Sequence, residues 1–132
     1  MLNAKMTSRR LLLAVTASAA AHPAFADARD YEFRLVTNEV KMGEAIITVH
    51  LVHKASGRAV PDAVIHTTQL DMAPEGMPTM TTPLTPVPGG EPGTYRFRTQ
   101  LVMAGGWALT LAARVQGEEG TVQGRLVLRA TP

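Results

Sequence analysis

From Asp30 onward, apolar and polar residues alternate with a period of two, and clusters of Gly, Pro, Asn and Asp break the alternation at short intervals. That period sends successive side chains to opposite faces of an extended chain, so each run specifies a strand with one face to bury. Six strands are predicted. The first, over 31–36, turns Tyr31, Phe33 and Leu35 inward, and the second, over 45–53, turns Ile47, Val49 and Leu51 inward. The third, over 63–70, places Val64, His66, Thr68 and Leu70 on one face, and the same alternation carries Met72 onto it. The fourth, over 93–103, is the cleanest, with Tyr95, Phe97, Thr99, Leu101 and Met103 facing one way and Arg96, Arg98 and Gln100 the other. After a tight turn at Ala104-Gly105-Gly106, the fifth faces Trp107, Leu109, Leu111, Ala113 and Val115 inward. The sixth, over 121–129, buries Val122, Leu126 and Leu128, with Gly124 marking a bulge or a close backbone approach.

Six or seven short antiparallel strands with turns at this spacing predict an all-β, immunoglobulin-like sandwich, and a small Greek-key barrel reads almost the same. Between the third and fourth strands, Pro74, Pro78, Pro83, Pro86, Pro88 and Pro92 are expected to forbid regular pairing between Ala73 and Gly93. A long irregular loop is expected there, and in so small a domain such loops are usually functional or disordered.

The first 26 residues are set apart from the fold. They hold a charged start (Lys5, Arg9, Arg10), an apolar run from Leu11 to Ala21 and the small-x-small site Ala24-Phe25-Ala26, the three parts of a cleaved signal peptide. The apolar run is too short to span a bilayer. Cleavage after Ala26 and a periplasmic location are expected, and Ser8-Arg9-Arg10-Leu11-Leu12 fits twin-arginine export as well as the general route. Three of the thirteen Lys and Arg lie in this leader and all eleven Asp and Glu beyond it, so residues 27–132 carry a net charge of −1. With no basic run interleaved with aromatics, nucleic-acid binding is not expected. Residues 27–132 suit one domain. Cysteine is absent, so no disulfide supplements the core of this exported chain.

The residues with the most chemistry to offer are methionines. Of five beyond the leader, four fall between Leu70 and Trp107, at Met72, Met77, Met80 and Met103. Thioether sulfur is soft and uncharged, so a cluster of it holds Cu(I) or Ag(I) without deprotonation and discriminates against hard cations. The alternative is packing, because methionine also fills apolar gaps and lies on aromatic rings such as Trp107 or Tyr95. Met103, in register with Tyr95, Phe97 and Leu101, is the one expected in the core, and Met42 is expected to be incidental. His66, on the face of Leu70 and Met72, is the nitrogen candidate, but six residues of extended strand put it about 20 Å from Met72. His50 and His53 fall on opposite faces of one strand. Asp71 and Glu75 read as solvated loop charges. No G-x-S-x-G, H-E-x-x-H or phosphate-cradling glycine motif is present, and Ser56, the one serine beyond the leader, sits in a turn. An enzyme is not expected.

The order Met72, Met77-Pro78-Thr79-Met80, a Pro/Gly loop, Gly93-Thr94-Tyr95-Arg96-Phe97, then Met103-Ala104-Gly105-Gly106-Trp107-Ala108-Leu109 resembles the YtkA-like and FixH-like periplasmic domains. The similarity covers roughly Tyr31 to Arg129 and is most specific in its second half. It implies a β-sandwich outside the cytoplasmic membrane and an association with copper handling, heavy-metal efflux or assembly of copper oxidases. Members often carry a histidine shortly after the M-P-x-M segment, where this chain runs Thr81-Thr82-Pro83. The FixH-type membrane anchor is also missing, so a soluble module is expected. Two functions follow as expectations. One is a Cu(I) or Ag(I) binding module using Met72, Met77 and Met80, completed by Met103 or His66. The other is a non-metal interaction domain whose methionines dock on an efflux adaptor or an oxidase-assembly partner.

Overall fold

The structure is a computed structural model and describes residues 28–132; the leader expected over 1–26 lies outside the described residues. After a single 3-10 turn at Ala28–Asp30 come β1 (Tyr31–Leu35), β2 (Glu39–Lys41), β3 (Gly43–His53), β4 (Val64–Met72), a 3-10 turn at Ala73–Glu75, β5 (Met77–Thr82), β6 (Leu84–Val87), β7 (Thr94–Leu101), β8 (Gly105–Arg114) and β9 (Val122–Thr131). They form a four-stranded sheet in the order β1-β3-β7-β6 and a five-stranded sheet in the order β2-β9-β8-β4-β5. With β1, β3, β4, β6, β7, β8 and β9 lettered A to G, these are the ABED and CFG sheets of the immunoglobulin fold, and β2 and β5 extend the second sheet at its two edges. Among the described residues no helix is long and apolar enough to cross a membrane.

The alternation read from the sequence is what the two sheets bury against each other. Phe33 of β1, Ile47, Val49 and Leu51 of β3, Phe97 and Leu101 of β7, and Trp107, Leu109, Leu111 and Ala113 of β8 all lie in one core. Trp107 sits on strand F rather than on strand C, where antibody domains keep theirs, and packs without a disulfide beside it. Gly124 of β9 is a close approach and not a bulge: its register with Leu111 is continuous, and a Cβ there would lie 2.9 Å from Cδ2 of Phe33 in the opposite sheet.

Five expectations are corrected. Nine strands are present among the described residues, not six or seven, and β2 pairs with β9 in parallel. The stretch 73–93 is not one irregular loop, because residues 77–82 and 84–87 form the edge strands β5 and β6, and an edge tolerates proline where a central strand does not. Pro86 keeps its register with Phe97, and Pro78 falls in the irregular stretch of the β4–β5 pair. In β4 the register slips between Ile65 and Thr67, so His66 is turned out to solvent and Ile65 packs on the core in its place. Met103 lies beyond the end of β7 and is 37% exposed, so it is not a core residue. Gly105 and Gly106 open β8 instead of forming the turn before it.

Side chains also fasten the crossings between sheets. The chain passes from β5 to β6 at Pro83, where the Thr82 hydroxyl donates to the Gln100 carbonyl and the Thr99 hydroxyl to the Pro83 carbonyl, each at 2.8 Å. The Tyr95 hydroxyl donates to the Val60 carbonyl at 2.8 Å and accepts from the Ala63 N–H at 3.0 Å, tying the segment before β4 to β7. Burial pushes the Tyr95 phenol above its ordinary value; the Ala63 N–H opposes that shift and nearby Asp62 adds to it.

Two stability predictions follow. Gly124→Ala should cost about 1–3 kcal/mol in urea unfolding by overpacking against Phe33, and Phe33→Leu in the same chain should recover part of it as a non-additive pair. Tyr95→Phe leaves two backbone groups unpaired, a loss of about 1–3 kcal/mol at neutral pH. A phenol whose value is raised by folding contributes stability that is complete below about pH 10 and lost as pH rises through the folded value. The Phe variant should therefore show a shallower alkaline decline than the parent, with Tyr31, also raised by burial and then by Glu118 and Asp30, supplying the remainder.

Candidate functional site

The methionines gather where β4 leaves the second sheet. Met72, the last residue of β4, follows Leu70 onto the inner face and is fully buried. The chain then turns through Ala73-Pro74-Glu75 and reverses at Gly76, whose φ of 78° is left-handed and whose N–H donates to the Ala73 carbonyl at 2.8 Å. Asp71 shapes the start of this turn. One carboxylate oxygen accepts from the Ala73 N–H and the other from the Gln69 amide, both at 2.9 Å. At 7% exposure it is not a solvated loop charge.

On returning, Met77 becomes the register partner of Met72. The next paired residue, Thr81, lies opposite Asp71, so Pro78, Thr79 and Met80 are extra residues in β5 with no partner in β4. Met77 and Met80 are both half-buried and pack against the core.

The turn is held down on β8. Glu75 is exposed, yet its Oε2 accepts a hydrogen bond from the Gly106 N–H at 2.7 Å. The two glycines make this possible. A Cβ on Gly105 would lie 3.1 Å from the Met72 methyl and 3.2 Å from the Glu75 carboxyl carbon, and one on Gly106 would lie 3.0 Å from Pro74. Sequence reading missed this role of Glu75; the signal available was the glycine pair, which is costly inside a strand unless another segment lies on it.

Met103 completes this end of the sandwich from the β7–β8 turn. Its carbonyl accepts from the Trp107 indole N–H at 3.0 Å, which fixes the backbone while the side chain stays accessible. The structure thus places Met72, Met77, Met80 and Met103 at one end. His66 is not among them: it stands in the bulge of β4, near Ala112 and Ala113 of β8, with Nδ1 3.0 Å from the Thr67 hydroxyl. His53 is engaged elsewhere, with Nδ1 3.1 Å from the Ser56 hydroxyl and its ring edge-on to Tyr31. Among the described residues no three His, Asp or Glu side chains gather as a metal-ligating group, so the donors at the methionine end are thioethers with two carboxylates on the same turn, Asp71 and Glu75.

No curated protein matches the chain. A family model described as YtkA-like matches residues 25–112, which takes in β1 to most of β8 and therefore the whole methionine end. The chain belongs to the YtkA-like family.

Proposed function

We propose that this protein is a soluble periplasmic module that binds Cu(I) or Ag(I) through the thioethers at the β4–β5 end of the sandwich. The observation that carries this reading is the placement of Met80 in the unpaired stretch of β5, next to the cross-strand pair Met72 and Met77, with Met103 exposed on the adjoining turn. Thioethers are neutral, so they need lose no proton to bind a soft monocation, and they leave harder divalent cations behind. Met77, Met80 and Met103 are the ligands in this reading. Met72, sealed in the core, backs them. Glu75, held beside Met72 against Gly105, supplies a negative charge near the cation.

A second reading has its own observation. Met42 and Val102 lie one step beyond the Gly43–Leu101 pair, and with Ile46 and Met103 they put four exposed apolar side chains on or beside the outer face of the first sheet. Such a patch suits docking on a metal-efflux adaptor or an oxidase-assembly protein.

Competition with a Cu(I) chelator separates the two. The parent should take up Cu(I) stoichiometrically, and Met77→Leu with Met80→Leu, a substitution that conserves volume, should weaken it by about 100-fold or more, on the order of 3 kcal/mol. Affinity should stay level as pH falls through the histidine range near about 6.5, since no imidazole belongs to the set. Undiminished binding in the double variant, or no uptake by the parent, would favour docking.

A further inference from the structure

The second sheet has an outer face that the methionine end does not use. In β9, Gly124 is turned to Phe33 and Leu126 packs on the core, so Gln123 and Arg125 point away from it. In β8, Leu109, Leu111 and Ala113 lie in the core, and Thr110 and Ala112 face out. The register puts Thr67, Ala112 and Gln123 in one row across β4, β8 and β9, and Gln69, Thr110 and Arg125 in the next. Ala112 has the shortest of these side chains, so β8 forms a floor between two higher banks, and a groove of about 460 Å³ lies over it. His66 and Thr67 wall the groove from β4, and Gln123 and Arg125 from β9. That volume falls within the range of small-molecule sites, about 300–1,000 Å³.

The lining is rich in donors and has one charge sign. Arg125 supplies a guanidinium, Gln123 an amide, Thr67 and Thr110 two hydroxyls, and no Asp or Glu lines the groove. Among the described residues no side-chain hydrogen bond or ion pair engages Thr110, Gln123 or Arg125, so these donors are open to a ligand. His66 is brought in by the bulge of β4, which turns it out of the core beside Thr67, with Nδ1 3.0 Å from the Thr67 hydroxyl. Bulges recur next to functional sites, where they re-aim a side chain in this way. The donors stand on both banks, and β4 and β9 lie two strand spacings apart, about 10 Å. A carboxylate has two oxygens in one plane and is satisfied by a guanidinium fork alone. A phosphoryl group presents three strong acceptor oxygens in different directions, and so can take Arg125 on one and Thr110 and Gln123 on the others.

We propose that this groove binds a small phosphate monoester, its phosphoryl group on Arg125, Thr110 and Gln123 and its remainder over Ala112 toward His66 and Thr67. The inference is independent of metal binding. Amide-resolved NMR titration of the protein with glycerol 3-phosphate, inorganic phosphate and glycerate tests it. Glycerol 3-phosphate should give saturable shifts confined to residues 66–67, 110–112 and 121–125, and should bind more tightly than inorganic phosphate and about tenfold or more tightly than glycerate. Arg125→Gln and Thr110→Val should each weaken the ester by about tenfold while thermal unfolding stays cooperative. Arg98→Gln, which removes the same charge from the opposite sheet, should leave its affinity as it was. Equal affinity for the ester and inorganic phosphate, glycerate binding as tightly as the ester, shifts spread outside these segments, or an Arg98 variant as weak as the Arg125 variant overturns the proposal.

Discussion

A single hydrogen bond, from the Gly106 N–H to the Glu75 carboxylate, decides how one end of this sandwich is built. It holds the turn after β4 flat on the start of β8, and it can do so only because Gly105 and Gly106 present no Cβ to Met72, Pro74 and Glu75. Once the turn is seated, the rest of the end is determined. Met72 is shut into the core, Met77 must return opposite it, and the surplus residues of β5, Met80 among them, have to stand out of register. A chain without cysteine has no covalent means of fixing such a turn, so a charge-assisted bond to a strand N–H does that work.

The same fold leaves its two long sides unequal. On one, β1 lies against β9 and the sandwich is closed. On the other, β5 covers only the last residues of β4 and β6 is short, so the interior is reachable between them. Edges left bare invite pairing with other chains, and here proline in β6 and a bulge in β4 make both edges poor templates for another strand. Access to the core is thus combined with protection against aggregation.

Much of this was legible in the residues. The period of two located the inner faces of β1, β3 and most of β7 by their burial on one side, and that of β8 by its large apolar residues, although Ala108 and Ala112 on its other face are buried as well. It also put Met72 on the face of Leu70, and both are fully buried. Gly124 marked either a bulge or a close approach, and it is the close approach that Phe33 makes. The misses share a cause: each depends on what lies beside a strand, which alternation does not encode. Pro78 and Pro86 argued against strands because their edge position could not be foreseen. His66 changed faces through a bulge that no residue type marks. Met103 left the core because β7 stops at Leu101 and the turn takes the next three residues. The spacing suggested that the methionines gather at one end and already set His66 about 20 Å along the strand from Met72; what required the register of β4 was the bulge that turns His66 outward.

The account turns on whether the thioethers of β5 are presented as ligands or are packing. Methyl NMR of methionine-labelled protein during Ag(I) addition addresses this directly, since each methyl reports its own sulfur. The account predicts that the Met77 and Met80 methyls move together and stop moving at a single equivalent, while Met42, the most exposed of the three, stays where it was. Unmoved Met77 and Met80 methyls, or shifts at Met42 that keep pace with theirs, would contradict it.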